Sequence, residues 1–263
     1  METYGIWIYV LVCIGAAFAG FIDAVVGGGG LVQVPMLFVL FPELSHVQVI
    51  ATNRFASIAG TTVAATQYIK HVGVEATLIL FTGVSAASSS FGGTFVMALV
   101  KPAVFKPMLL CIIIVLAIYT FVKKDLGIEH APNYNGKKLW AMSALIGAVL
   151  GFYNGFIGPG TGTLLVFAFV TVLQVGFLQG SASAKIVNAM ADFASLIGFF
   201  ISGSIVYKIA VPMMLSNMAG GYIGSKAAIL KGNTFVRCVF LFVLTLLILR
   251  LAWDVVSAFS LNS

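Results

Sequence analysis

The chain has 263 residues, of which 60% are hydrophobic and only 8% are charged, and its formal net charge is +6. Soluble globular domains carry about 25% charged residues, so this composition excludes an ordinary soluble protein and indicates a membrane protein. The basic residues lie in short connections between apolar runs, which is typical of membrane topology and not of nucleic-acid binding.

Ten apolar runs follow one another, five in each half of the chain. They cover residues 5–26, 31–42, 47–69, 74–100, 103–122, 139–157, 162–175, 178–202, 205–227 and 234–256. Because about 20 apolar residues span a bilayer as a helix, the sequence predicts an all-α polytopic membrane protein with about 8 to 10 segments. The first run is predicted to be a membrane segment and not a signal peptide, because no basic residue precedes it.

The second run of each half is too short for a full span and follows a glycine-rich break. The breaks are Gly27–Gly30 and Gly158–Gly162, and each is followed by a lone cation, Arg54 or Lys185. The number of residues between the two breaks equals the number between the two cations, and it is close to half of the chain length. This common separation indicates an internal duplication. We call this common separation the repeat offset. Short broken helices at matching positions of two repeats are typical of a transporter's binding site.

The duplication divides the chain into three parts. Residues 1–122 are predicted to form a first transmembrane repeat, residues 123–138 a polar cytoplasmic linker, and residues 139–263 a second repeat. The count of segments gives each half an odd number of crossings, so the second repeat is expected to be inverted relative to the first. The N-terminus is then expected on the outer side of the membrane.

Four ionisable residues lie inside apolar runs, namely Asp23, Arg54, Lys185 and Asp192. A charge at bilayer depth costs at least about 2.5–3.5 kcal/mol on insertion scales, so such residues usually face a partner or a transport pathway. The two cations have equivalent depths in their repeats and are expected to meet at one central site. Structural ion pairs with the two aspartates are the alternative interpretation.

Helical spacing extends the proposed site along two matched polar stripes. Lys185, Asn188 and Asp192 follow an i, i+3, i+7 pattern, and the equivalent positions 54, 57 and 61 are also polar. Cations with amide and hydroxyl donors suit a small oxyanion. Helices that begin just after Gly30 and Gly162 are expected to add free N–H groups and the positive ends of their dipoles.

The repeats differ at two of the polar positions. Asp23 corresponds to Asn154, and Asp192 corresponds to Thr61. Each repeat therefore offers a carboxylate where the other does not, and the two aspartates are candidates for coupling anion movement to protons or cations. The glycines have an alternative interpretation, in which small residues only permit close helix packing.

These motifs resemble the two signatures of the TauE/SafE family of sulfite exporters. The matching residues are Gly20–Asp23, Gly27–Gly30, Pro35 and Ala51–Arg54, and then Gly151, Phe152, Gly158–Gly162, Ala182–Lys185 and Asn188. The resemblance implies a transporter of sulfite, sulfoacetate or related organosulfonates in the bacterial cytoplasmic membrane. The family usually has Lys where this chain has Arg54, which keeps the charge but changes the hydrogen-bond geometry.

We therefore expect a secondary transporter, most simply an exporter, that works by alternating access around a central cationic site. The candidate substrate-binding residues are Arg54, Lys185, Asn53, Ser57, Asn188, Gly28, Gly29, Gly30, Gly160, Thr161 and Gly162. An anion channel and a proton- or cation-coupled importer are the alternatives. The cysteines and histidines are scattered singly, so we expect neither a catalytic site nor a metal site. We also expect no cofactor. A homo-oligomer is left open.

Overall fold

The computed structural model describes residues 5–99 and 136–260, and every regular element within these ranges is an α-helix. The helices are α1 (Ile6–Val26), α2 (Gly29–Leu40), α3 (His46–His71), α4 (Ala76–Leu99), α5 (Gly136–Phe156), α6 (Thr161–Thr171), α7 (Phe177–Ile201) and α8 (Tyr207–Ser260). The backbone of α8 leaves helical geometry at Gly232, between the last two predicted runs. The all-helical prediction is confirmed. The predicted run 103–122 and the linker as far as residue 135 lie outside the described residues.

Four of these helices are long and apolar enough to cross a membrane: Ile6–Val26, Ala76–Met97, Gly136–Phe156 and Phe177–Ile201. α3 has 26 residues but is more polar, because it carries Arg54 and its neighbouring polar side chains. α2 and α6 have only 12 and 11 residues. At 1.5 Å per residue each reaches about 18 Å, roughly half of a bilayer core, as expected for half-helices.

The start positions of the helices repeat along the chain. α3 and α7 begin one repeat offset apart, as do α4 and α8, and the starts of the other two pairs depart from this offset by a single position. Some boundaries differ from the predicted ones. α2 and α6 begin at Gly29 and Thr161, slightly before the predicted starts, and α5 begins at Gly136, so that Lys137 and Lys138 are helical instead of part of the linker.

Two pairs of helices make close backbone contacts at positions that are related by the repeat offset. α1 packs against α8, and α4 packs against α5. A Cβ added at Gly20 would meet the backbone of Asn217, and one added at Gly151, the equivalent position of the second repeat, would meet the backbone of Ala86. Ala86 and Asn217 are themselves related by the repeat offset. Small residues therefore let both helix pairs approach closely, as they do in other membrane bundles.

Two clusters of buried apolar side chains occupy opposite ends of the helices. Cluster 1 contains Tyr68 at the end of α3 and Phe177 at the start of α7. Cluster 2 contains Val49 near the start of α3 and Phe199 near the end of α7. Consequently α3 runs from cluster 2 to cluster 1, whereas its equivalent α7 runs from cluster 1 to cluster 2.

The equivalent helices α3 and α7 begin with different caps. Ser45 and Gln48 form a capping box on α3, in which the Ser45 hydroxyl accepts from Gln48 N and the Gln48 side chain accepts from Ser45 N. The corresponding cap of α7 is Gly176, which has no side chain. Asn233, directly after the break in α8, accepts from Leu178 N at 2.6 Å instead. The break in α8 thus supplies a cap to α7.

We expect Asn233→Ala to lower the free energy of unfolding by about 1 kcal/mol, because the first turn of α7 loses its acceptor. Thermal unfolding of the purified protein in detergent measures this change. Asn233→Asp keeps an acceptor and is the control. Adding Gly176→Ser to Asn233→Ala should recover the lost stability, since Gly176 has the extended backbone (φ −61, ψ 157) that a capping serine needs. An Asn233→Ala protein as stable as wild type would contradict this assignment.

Candidate functional site

The two glycine-rich breaks contact each other in the interior of the bundle. Thr163 N donates to Gly27 O at 3.2 Å. A Cβ added at Gly162 would lie 2.5 Å from Gly27 Cα and 2.6 Å from Gly27 O. Gly27, Gly158 and Gly160 also have positive φ values of 79°, 88° and 89°, which glycine adopts at little cost. The breaks are therefore glycine-rich both for their turns and for this contact.

Lys185, one of the two cations of the site, lies on α7. Its Nζ lies 2.6 Å from Asp23 Oδ2, and the same oxygen accepts a hydrogen bond of 3.1 Å from Thr61 Oγ1. The other oxygen, Asp23 Oδ1, accepts from Gly29 N at 3.2 Å. We call Lys185, Asp23 and Thr61 the Lys185 triad. Its carboxylate also occupies the N-terminus of α2, where the sequence predicted a free N–H group for the substrate.

The second cation, Arg54 on α3, has a matching environment. Arg54 Nη1 pairs with Asp192 Oδ1, and Arg54 Nη2 donates to Asn154 O at 2.5 Å. Asn154 Nδ2 in turn donates to Asp192 Oδ1 at 3.0 Å. We call Arg54, Asp192 and Asn154 the Arg54 triad. A further amide, Asn188 Nδ2, donates to Asp192 Oδ2 at 2.9 Å.

The two triads are equivalent by position. The repeat offset relates Arg54 to Lys185, Asp23 to Asn154, and Thr61 to Asp192. The carboxylate comes from α1, just before the first break, in one triad and from α7 in the other. The two mismatches seen in the sequence therefore compensate each other, because each cation keeps one carboxylate. Both ion pairs join the first half of the chain to the second.

A small cavity lies where the breaks cross, with a volume of about 30 Å³, which is room for one or two water molecules. It is lined by eight of the predicted substrate-binding residues, namely Asn53, Arg54, Ser57, Asn188, Gly30, Gly160, Thr161 and Gly162, and by both coupling candidates, Asp23 and Asp192. Gly27, Thr61, Gly158 and Pro159 complete the lining. The polar stripe in the sequence already includes Thr61, and the repeat offset could have identified Asn154 as a member of the site, because it aligns Asn154 with Asp23.

Three predicted binding residues, Lys185, Gly28 and Gly29, do not line the cavity. The two cations therefore do not face one cavity in this structure. Asp23, which lines the cavity, holds Lys185 through the ion pair and leaves Arg54 as the one cation of the described residues in the lining. Gly29 instead packs against α1, where a Cβ would meet the backbone of Ala19 and the side chain of Asp23.

Two polar atoms of the lining residues are buried without a hydrogen-bond partner among the described residues. They are Nε of Arg54 and Oδ1 of Asn53. A buried polar atom without a partner costs about 1–3 kcal/mol, so a bound molecule that satisfies it gains that energy. The Arg54 side chain is 5% exposed and can therefore act as a donor in a nearly water-free environment.

Comparison with known proteins gives a consistent result. The family model described as "Sulfite exporter TauE/SafE" matches residues 12–251. A "Probable membrane transporter protein" of Haemophilus influenzae is 32% identical over 228 residues, covering 87% of this chain and 88% of the relative. "Probable membrane transporter protein YfcA" of Escherichia coli (strain K12) is 27% identical over 239 residues, covering 91% and 87%. No solved structure matches the chain significantly.

Proposed function

Because this chain belongs to the sulfite exporter TauE/SafE family of membrane proteins, we propose that it is a secondary transporter of small sulfur-containing oxyanions. Sulfite, sulfoacetate and related organosulfonates are the proposed substrates, and export across the bacterial cytoplasmic membrane is the proposed direction. The relatives are named as membrane transporters and come from bacteria.

The cavity at the crossing of the two breaks is the observation that carries this proposal. It is small, polar and lined by a buried guanidinium with an unpartnered N–H group. Hydroxyls of Ser57 and Thr161 and the amide of Asn188 lie in the same lining. Such donors suit an anion of a few heavy atoms, since each oxygen can accept a charge-assisted hydrogen bond. The small volume favours sulfite-sized ions over larger organic anions.

The charges in the site set a condition on binding. Two cations and two carboxylates are paired there, so the site as a whole is neutral. An incoming anion must therefore compete with Asp192 for Arg54. A carboxylate displaced by the anion needs a new positive partner, and this makes Asp192 and Asp23 the proposed groups for coupling to protons or cations.

The proposed mechanism is alternating access around this site, in which the second repeat is inverted relative to the first. α3 and α7 run in opposite directions between the two apolar clusters. α2 extends from the cavity to cluster 2 through Leu37, whereas α6 extends from the cavity to cluster 1 through Phe169. Each half-helix thus reaches one side of the bundle only, as two inverted repeats require.

Surface charge supports the orientation that the sequence predicts. Among the described residues, the cluster 1 end carries Lys70, Lys137, Lys138, Lys226, Lys231 and Arg237, and the cluster 2 end carries Lys208, to whose side the predicted topology also assigns Lys101 and Lys106. Cytoplasmic ends of membrane proteins are enriched in Lys and Arg, so cluster 1 is the proposed cytoplasmic side. The N-terminus of α1 then lies outside, as predicted.

The membrane potential is sufficient to drive export. With a negative cytoplasm, each exported negative charge gains about 2.3 kcal/mol per 100 mV, so an uncoupled carrier of a monovalent anion needs no other ion. Uptake requires a proton or another cation to move with the anion. The direct backbone contact between Gly27 and Gly162 at the cavity favours such a carrier over a channel with a continuous pore.

Flux into proteoliposomes tests this function, with sulfite, sulfate, thiosulfate and a sulfonate compared and with voltage and pH gradient set separately. At about 100 mV an uncoupled monovalent anion should reach a concentration ratio of about 50, since about 1.4 kcal/mol corresponds to a factor of ten. A proton-coupled anion should respond to the pH gradient also at zero voltage. Flux of none of these anions would contradict the proposal, and unitary currents in planar bilayers would favour a channel.

A further inference from the structure

The two equivalent cations differ in their access to the cavity. It is lined by Arg54 but not by the equivalent Lys185. All the residues of the second break, Gly158–Gly162, line it, but only Gly27 and Gly30 do so in the first break. Asp23 and Thr61 of the Lys185 triad also line it, so residues of both triads face one cavity, with Arg54 in the lining and Lys185 held behind Asp23.

The residues around the two cations have the same chemistry. Each triad contains one cation, one carboxylate and one neutral side chain that hydrogen-bonds the carboxylate. The hydrogen bonds to the carboxylates, 3.1 Å from Thr61 and 3.0 Å from Asn154, have nearly the same length. A duplicated fold could keep one charged centre and lose the other, but here both are present, with the carboxylate relocated.

We propose that the Lys185 triad is a second subsite for the same oxyanion, used when the carrier opens to the opposite side of the membrane. This inference rests on the proposed carrier function. In alternating access one repeat rocks against the other around the binding site. In this proposal the movement brings Lys185 into the lining of the cavity and withdraws Arg54 from it.

The carboxylates have a defined role in this scheme. A buried cation without a counter-charge is strongly unfavourable, so Asp192 holds Arg54 and Asp23 holds Lys185 whenever the anion is absent from that triad. The anion replaces each carboxylate in turn as it passes from one triad to the other. Arg54 and Lys185 should therefore determine the affinity for the anion on opposite faces of the membrane.

The half-saturation concentration of sulfite, measured separately on each face in oriented proteoliposomes, tests this assignment. We expect the two faces of the wild type to differ by at least about threefold, because a guanidinium binds oxyanions bidentately and an ammonium does not. The double variant Arg54→Lys/Lys185→Arg should reverse this ratio between the faces. Each single variant should change the value on one face only. Lys208→Arg, which changes an exposed lysine, is the matched control.

The second subsite is overturned if the double variant leaves the ratio of the two half-saturation concentrations unchanged. It is also overturned if each single variant changes the half-saturation concentration equally on both faces. Equal values on both faces throughout would also overturn it. These outcomes differ from failure of the proposed function, in which the wild type itself moves no anion. The four variants keep both charges, so loss of an ion pair does not complicate the comparison.

Relocation of the carboxylate provides a second test. Asp23→Asn should lower sulfite flux at least about tenfold, because Lys185 loses its counter-charge. Adding Thr61→Asp builds the arrangement of the Arg54 triad around Lys185 and should restore most of the lost flux. Thr61→Asp alone should lower flux, as it places two carboxylates beside one cation. A folded double variant no more active than Asp23→Asn would contradict the equivalence of the triads.

Discussion

Arg54→Gln is expected to lower anion flux at least about 100-fold. Arg54 is the only cation that lines the cavity in the described structure, and charge-assisted hydrogen bonds contribute about 1.5–3 kcal/mol each. The substitution also leaves Asp192 without its counter-charge, and breaking a buried pair in this way costs about 3–5 kcal/mol. Flux in proteoliposomes and thermal unfolding in detergent measure the two effects.

A double variant separates function from stability. Arg54→Gln/Asp192→Asn removes both charges of the pair, so it should recover most of the lost stability and remain inactive. Arg54→Lys keeps the positive charge without the bidentate geometry and should retain measurable flux. Lys208→Gln removes an exposed charge and serves as the control for net charge. If the double variant moves anion at wild-type rates, the proposed role of Arg54 is wrong.

The second large effect is expected from Gly162→Ala. The new methyl group would lie 2.5 Å and 2.6 Å from the Cα and O atoms of Gly27, and backbone cannot rotate away as the end of a side chain can. The two breaks must separate, at a cost of about 1–3 kcal/mol for overpacking. Because this contact forms part of the cavity, flux should fall at least about tenfold even in protein that remains folded.

Gly92→Ala in α4 is the matched control, since a Cβ at Gly92 meets nothing within 4 Å. Alanine has a higher helix propensity than glycine by about 1 kcal/mol, so this variant should be at least as stable as wild type and equally active. Size-exclusion profiles and unfolding temperatures report folding, and proteoliposome flux reports function. Equal flux in wild type and Gly162→Ala would show that the crossing of the breaks is not required for transport.

In the two triads the carboxylates have a different role from the one that the sequence suggests. Aligned by the repeat offset, Asp23 and Asp192 each face a neutral residue in the other repeat and suggest an asymmetric site. In the folded chain each aspartate neutralises one cation. The asymmetry therefore lies in the helix that supplies the carboxylate and not in the number of charges around each cation.

Much of the fold could be predicted from periodic features of the chain. Apolar runs predict the helices because the backbone must satisfy its hydrogen bonds within a lipid environment. The breaks at Gly27–Gly30 and Gly158–Gly162 predict the short helices α2 and α6, because glycine weakens a helix locally. Boundaries shifted by a few residues where caps, such as Gly160 for α6, set the first helical residue.

The set of polar residues around the cavity was also largely predictable. Residues that are costly in an apolar segment, such as Arg54 and Asp192, must face the interior, and helical spacing adds Ser57 and Asn188 on the same faces. All four line the cavity. Lys185 does not line this cavity, and sequence spacing does not show which neighbour lies between a side chain and a cavity.

The sequence by itself thus determined the class of protein and the polar residues of the interior, since these follow from composition and from spacing along the chain. Only the tertiary structure decided how those residues pair. The partners of Arg54 and Lys185 lie 138 and 162 residues away, and such distances carry no periodic signal. Folding across the two halves places each cation of one repeat against an aspartate of the other, because a charge buried in an apolar bundle requires a counter-charge.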